Sequence, residues 1–124
     1  MAEPVGIAGA IPILRIFSVE KAMAFYLDFL GFTLDWEHRF EPGMPLYCQI
    51  TREGLMLHLS EHFGDTTPGT RIFVPVRDAR ALQAELAGRD FPFMRPGLET
   101  VPWGLEVTVT DPFANRITFC QRND

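Results

Sequence analysis

The chain has 124 residues, 47% of them hydrophobic and 22% charged, with a formal net charge of −5. That balance suits a globular unit with a real core and excludes a disordered chain. The acidic charge, with no stripe of Lys and Arg, argues against a nucleic-acid partner, and no apolar run approaches the ~20 residues that span a bilayer.

Residues 1–9 lack the charged start and long apolar segment of a signal peptide, so a cytoplasmic protein is expected. Residues 11–16 form an apolar strand pattern that leads to Ser18, a side chain suited to a helix N-cap. Val19, Ala22, Met23, Tyr26 and Leu30 then recur at helical spacing, and Gly31 closes that helix. Residues 32–40 alternate, with Phe32, Leu34, Trp36, His38 and Phe40 on one side and Thr33, Asp35, Glu37 and Arg39 on the other. After a Pro- and Gly-bearing loop at 41–45, residues 46–52 and 55–60 read as strands joined by a Glu53-Gly54 turn. This first half is βαβββ.

The order then repeats. A polar linker ends in Thr67-Pro68-Gly69, residues 71–76 form a second apolar strand, and Asp78 caps a helix carrying Ala79, Leu82 and Leu86 that Gly88 ends. A short strand is expected over 91–94, followed by strands over 105–110 and 115–121 around an Asp111-Pro112-Phe113-Ala114 turn. Residues 11–60 and 71–120 therefore match at an offset of sixty, the mark of paired modules. The expected fold class is α+β. A single domain over 1–124 holds modules 10–60 and 70–121 on either side of linker 61–69, in a pseudo-twofold arrangement that forms a curved sheet cup.

Strand alternation gives each sheet two unlike faces. Leu55, Leu57 and Leu59 suit a helix-covered face, which leaves Met56, His58 and Ser60 with Tyr47 and Gln49 on the other. Leu105, Val107, Val109, Ile117 and Phe119 likewise oppose Glu106, Thr108, Thr110, Arg116, Thr118 and Cys120. A polar sheet face lined with large side chains is a candidate ligand cup. Cys48 and Cys120 are isolated, without CxxC spacing, and read as buried thiols in a reducing compartment.

Ala22-Met23-Ala24-Phe25-Tyr26 through Leu30-Gly31-Phe32, together with Asp111-Pro112-Phe113-Ala114-Asn115-Arg116-Ile117, resemble the vicinal oxygen chelate superfamily, also called the glyoxalase/bleomycin resistance/dioxygenase fold. The resemblance runs from about residue 10 to residue 121. Val101-Pro102-Trp103-Gly104 followed by Glu106 is most similar to the bleomycin resistance proteins. In the superfamily's enzymes, side chains on the first and last strand of each module hold a divalent metal. The resemblance carries those positions to Ile11, His58, Arg71 and Thr118. A metal centre needs several His, Asp, Glu or Cys donors, and only His58 is one, so no metal and no cofactor are expected. His58 and His62 are four apart at a strand end and do not form the HExxH motif. Glu106 beside His58 would be an acid/base pair, but nothing in the sequence fixes their separation.

Trp36, Phe40, Tyr47, Phe63 and Trp103 are candidates for the cup and its rim, where flat rings stack on planar or cationic ligands. Trp36 is equally consistent with core packing. Glu61, Asp65, Glu99 and Glu106 are candidates for negative charge beside the ligand, and are equally readable as solvated surface. The resemblance implies a homodimer with ligand grooves between the modules of its two subunits. It further implies a non-enzymatic protein that confers resistance by sequestering a bleomycin-like glycopeptide. The expected ligand-binding residues are Trp103, Glu106, His58, Tyr47, Phe40, Trp36, Glu61 and Phe63, with no catalytic residue. Two alternatives share the fold: a lyase- or dioxygenase-like enzyme acting on a small metabolite, and a metabolite binder.

Overall fold

The computed structural model describes residues 3–89, 91–92 and 94–124 and contains two four-stranded sheets and two helices. Strand β1 (Ile13–Arg15) leads to Ser18, whose hydroxyl accepts from the Lys21 amide at 3.2 Å and starts helix α1. This helix is α over Val19–Met23 and widens to π-type bonding over Ala24–Phe29, so that Leu30 donates to the Phe25 carbonyl. The wider turns bury Phe25, Tyr26 and Phe29 together. Strands β2 (Thr33–His38), β3 (Tyr47–Arg52) and β4 (Leu55–Ser60) complete a sheet ordered β1-β4-β3-β2, with β1 parallel to β4.

The second module repeats this plan with β5 (Arg71–Pro75), α2 (Ala79–Ala87), β6 (Glu99–Val101), β7 (Gly104–Thr110) and β8 (Arg116–Arg122), ordered β5-β8-β7-β6. The Asp78 carboxylate accepts from the Ala81 amide at 3.0 Å and caps α2. The α+β fold of two βαβββ modules is the one the sequence pattern describes.

Two expectations are corrected. The strand sought over 91–94 is absent among the described residues there (Phe93 lies outside them), and the short strand falls instead at Glu99–Val101. Pro92 and Pro96 explain the shift, since neither can donate to a ladder. The even alternation over 32–40 is also broken. Leu34 pairs with Ile50 but Trp36 pairs with Gln49, so a β-bulge at Asp35 moves Trp36 and His38 off Leu34's side of the sheet.

One core joins both modules. Leu14, Ile50, Leu57 and Leu59 of the first sheet meet Val107, Val109 and Ile117 of the second under the aromatic residues of α1 and Leu86 of α2. Polar braces cross the same seam. The Tyr26 hydroxyl donates to Asp111 at 2.7 Å, and the Asn115 amide donates to the Arg15 carbonyl at 2.8 Å. Arg52 grips Glu85 with two bonds of 2.8 Å, while Arg89 holds the same carboxylate at 2.7 Å and donates to the Phe29 carbonyl. Among the described residues no helix is long and apolar enough to cross a membrane.

Candidate functional site

With the helices and core on one side, each sheet keeps an opposite face free of other elements. On the first sheet, β3 and β4 are antiparallel with Gln49 opposite His58 and Tyr47 opposite Ser60, so Tyr47, Gln49 and His58 share that free face. The β2 bulge delivers Trp36 to it. Trp36 lies near-parallel to Tyr47, with ring centroids 6.0 Å apart, and meets His58 edge-on at 5.4 Å. It remains 43% exposed, which answers the question of whether it packs the core. Large rings left in water on a polar face form a stacking platform.

The polar groups beneath are linked. The Tyr47 hydroxyl and His58 Nδ1 lie 2.7 Å apart, and His58 Nε2 lies 3.0 Å from Gln49 Oε1. Gln49 Nε2 donates to Asp35 at 3.1 Å, and the Thr51 hydroxyl donates to the same oxygen. Partial burial lowers the His58 pKa and raises that of Tyr47, and the nearby Asp65 charge adds to the rise at Tyr47. At neutral pH both rings are uncharged.

Trp103 and Glu106 lie on the other sheet. Pro102 and Trp103 form the two-residue turn between β6 and β7, held by Asn123, whose backbone amide donates to the Trp103 carbonyl at 2.9 Å and whose side chain donates to the Pro102 carbonyl at 3.1 Å. Gly104 is required next, because a methyl there would drive into the Gln121 carbonyl oxygen. The Trp103 ring is 54% exposed, and its indole N–H donates to Glu106 at 2.8 Å, a carboxylate only 7% exposed. The ring is thereby held as a fixed flag at the sheet edge.

The remaining expected residues divide. Phe40 is exposed between two imidazoles, 4.8 Å from His38 and 5.8 Å from His62, beyond the end of β2. Phe63 is 97% exposed and makes no ring contact among the described residues. The Glu61 carboxylate accepts from the Leu46 amide at 2.9 Å, so it secures the start of β3. No bond joins His58 to Glu106, which belong to different sheets. Tyr47, Trp36 and His58 are therefore brought together, Trp103 and Glu106 form a second pair, and Phe40, Phe63 and Glu61 stand apart from both. The sequence pattern puts Gln49 on the polar face without a role and Asp35 on the opposite side, whereas the structure bonds the two to each other.

The superfamily's metal positions do not fit a metal here. The register puts Ile13 beside His58 and Phe73 beside Thr118, and both His58 nitrogens are engaged by protein groups. Arg71 donates to the Thr118 hydroxyl at 3.3 Å, which places a fixed cation where an ion would sit. Among the described residues no three His, Cys, Asp or Glu side chains group as a metal site.

An open cleft of about 510 Å³ lies on the core side at the seam between modules, between Arg52, Leu55, Val74, Leu82 and Phe119. None of Trp36, Phe40, Tyr47, Phe63 and Trp103 lines it. Its Arg52 and Glu85 are committed to each other, so we place the candidate site on the free faces rather than in this cleft.

A family model described as glyoxalase superfamily protein matches residues 2–124. The fold is similar to that of TnmS3, an antibiotic binding protein from Streptomyces sp. CB03234, with a TM-score of 0.69 and 25% identity over 95% of this chain and 100% of that one. The bleomycin-binding protein from bleomycin-producing Streptomyces verticillus, complexed with copper(II)-bleomycin, superposes with a TM-score of 0.68 at 29% identity, covering 95% of this chain and 98% of that one. A bleomycin resistance determinant encoded on transposon Tn5 shares the fold at a TM-score of 0.69 and 19% identity, covering 95% and 100%. No curated protein sequence matches the chain.

Proposed function

The chain belongs to the glyoxalase/bleomycin resistance superfamily, and from that premise we propose that it is a metal-independent, non-catalytic protein that binds and sequesters a bleomycin-like glycopeptide. The observation that carries this reading is the exposed Trp36 ring set against half-buried Tyr47 and His58 on an otherwise polar sheet face. It offers stacking surface for planar heterocycles, and the indole–carboxylate pair of Trp103 and Glu106 offers a second flat ring beside a negative charge. Two similar proteins, TnmS3 and the Streptomyces verticillus protein, bind an antibiotic and bleomycin respectively, which supports the ligand class.

The functional unit in this reading is a homodimer in the cytoplasm. The two ring-bearing faces belong to separate sheets with no ring contact between them, so a second subunit would bring one to the other. The buried free thiols Cys48 and Cys120 accord with a reducing compartment. Binding alone would confer resistance by lowering the free drug concentration.

Isothermal titration of the protein with metal-free bleomycin tests the proposal. Saturable heat at micromolar protein, one ligand per subunit, is expected. Absence of heat under those conditions overturns it, and turnover of the ligand into a new product overturns its non-catalytic part.

A further inference from the structure

The chain Asp35–Gln49–His58–Tyr47 has only one self-consistent direction. The Asp35 carboxylate accepts and cannot donate, so the Gln49 amide must face it with Nε2, as it does at 3.1 Å. The other end of that amide, Oε1, is then an acceptor aimed at His58 Nε2 at 3.0 Å, and this nitrogen must carry the ring proton. His58 Nδ1 is left with a lone pair, so the Tyr47 hydroxyl 2.7 Å away donates to it. With its proton committed, the Tyr47 oxygen faces outward as an acceptor. The direction of four side chains is thus set by one carboxylate at the strand bulge.

We propose that Asp35 is a positioning residue that fixes the hydrogen-bond polarity of the first sheet's free face and so selects ligands presenting a flat, cationic N–H group, such as an amidine or guanidinium. The charges around the face agree with this class. Asp35 itself and Asp65, whose charge reaches Tyr47, are both exposed there. Arg15 occupies the same face, but its guanidinium donates to the Glu61 carbonyl at 2.8 Å and stacks 4.6 Å over Phe17. A planar cation would meet the Tyr47 oxygen through an N–H and the Trp36 ring through its π face. A carboxylate or a bare acceptor at the same place would find no donor at the Tyr47 oxygen or at either His58 nitrogen, and would be left with the second Gln49 Nε2 hydrogen beside the Asp35 charge. The ligand class rests on the binding role proposed above; the direction of the chain does not.

Nitrogen-15 NMR of the imidazole side chains tests the direction without any drug. The parent is expected to show His58 as the Nε2–H tautomer. In Asp35→Ala the Gln49 amide is free to turn, and the signal should move toward a mixture with the Nδ1–H form while the melting temperature stays close to the parent's. Benzamidine is the probe for ligand class, with benzoate as its anionic counterpart. Benzamidine should shift the Trp36 indole and His58 signals in the parent, benzoate should not, and Asp35→Ala should weaken benzamidine roughly three- to tenfold. An unchanged tautomer in Asp35→Ala overturns the positioning role, and a preference for benzoate overturns the ligand class. Bleomycin binding with no benzamidine response would sink this inference and spare the proposed function; the reverse pattern would do the opposite.

Discussion

His58 carries the consequences of its neighbours in its titration. Burial holds its pKa below the ordinary value, so the folded ring stays neutral where an unfolded one takes up a proton. Its contribution to stability is therefore complete above the unfolded pKa of ~6.5 and is lost as pH falls toward the lower folded value. The urea midpoint should drop between about pH 7 and pH 5 more in the parent than in His58→Gln; parallel curves would refute the assignment. Trp103 behaves differently, because its ring covers little of the core and its indole is tied only to Glu106. Trp103→Ala should leave the unfolding free energy within about 1 kcal/mol of the parent while weakening drug binding by about tenfold or more in titration calorimetry. A variant that binds as tightly as the parent would remove Trp103 from the site.

Among the elements, the β6–β7 hairpin shows how a turn is paid for in backbone space. Gly104→Ala has no room beside the Gln121 carbonyl, so the hairpin must shift, costing about 1–3 kcal/mol in denaturant unfolding and changing Trp103 fluorescence. The elements were also where the sequence was most readable. Ser18 and Asp78 cap the two helices as their side chains suggest, and β4 spans the residues that alternation marks, because caps and period-two patterns are local physics. The bulge at Asp35 was not legible, since it carries no glycine and depends on how β2 pairs with β3. For the same reason the Asp35–Gln49–His58–Tyr47 chain was hidden: its members lie far apart in sequence and meet only once the register is set. Nothing in the sequence fixes the separation of His58 and Glu106, and the pairing of strands places them on different sheets.

At the scale of the molecule, the two modules are coupled by Glu85, whose carboxylate is shared by Arg52 and Arg89. Bonding to Arg52 holds the Glu85 pKa below the usual glutamate value. A carboxyl lowered on folding stabilises above its unfolded pKa and loses that effect as pH falls through the folded one. Glu85→Gln should therefore lower the melting temperature at neutral pH, and the gap from the parent should close below about pH 4. A constant gap would mean that the carboxylate's charge contributes nothing. Sedimentation equilibrium tests the dimer, with twice the chain mass expected at micromolar concentration.

The two modules repeat one backbone plan, yet their free faces are chemically unlike. The first offers stacked rings over a directed hydrogen-bond chain, and the second offers threonines, the Arg71 cation and an indole tied to a carboxylate. In the proposed homodimer a ligand lying between such walls would meet a keyed slot: its head and tail would not be interchangeable, and only one direction of entry would satisfy both sides. In a twofold assembly that property would make the two slots antiparallel, each reading the same molecule from the opposite end of the particle.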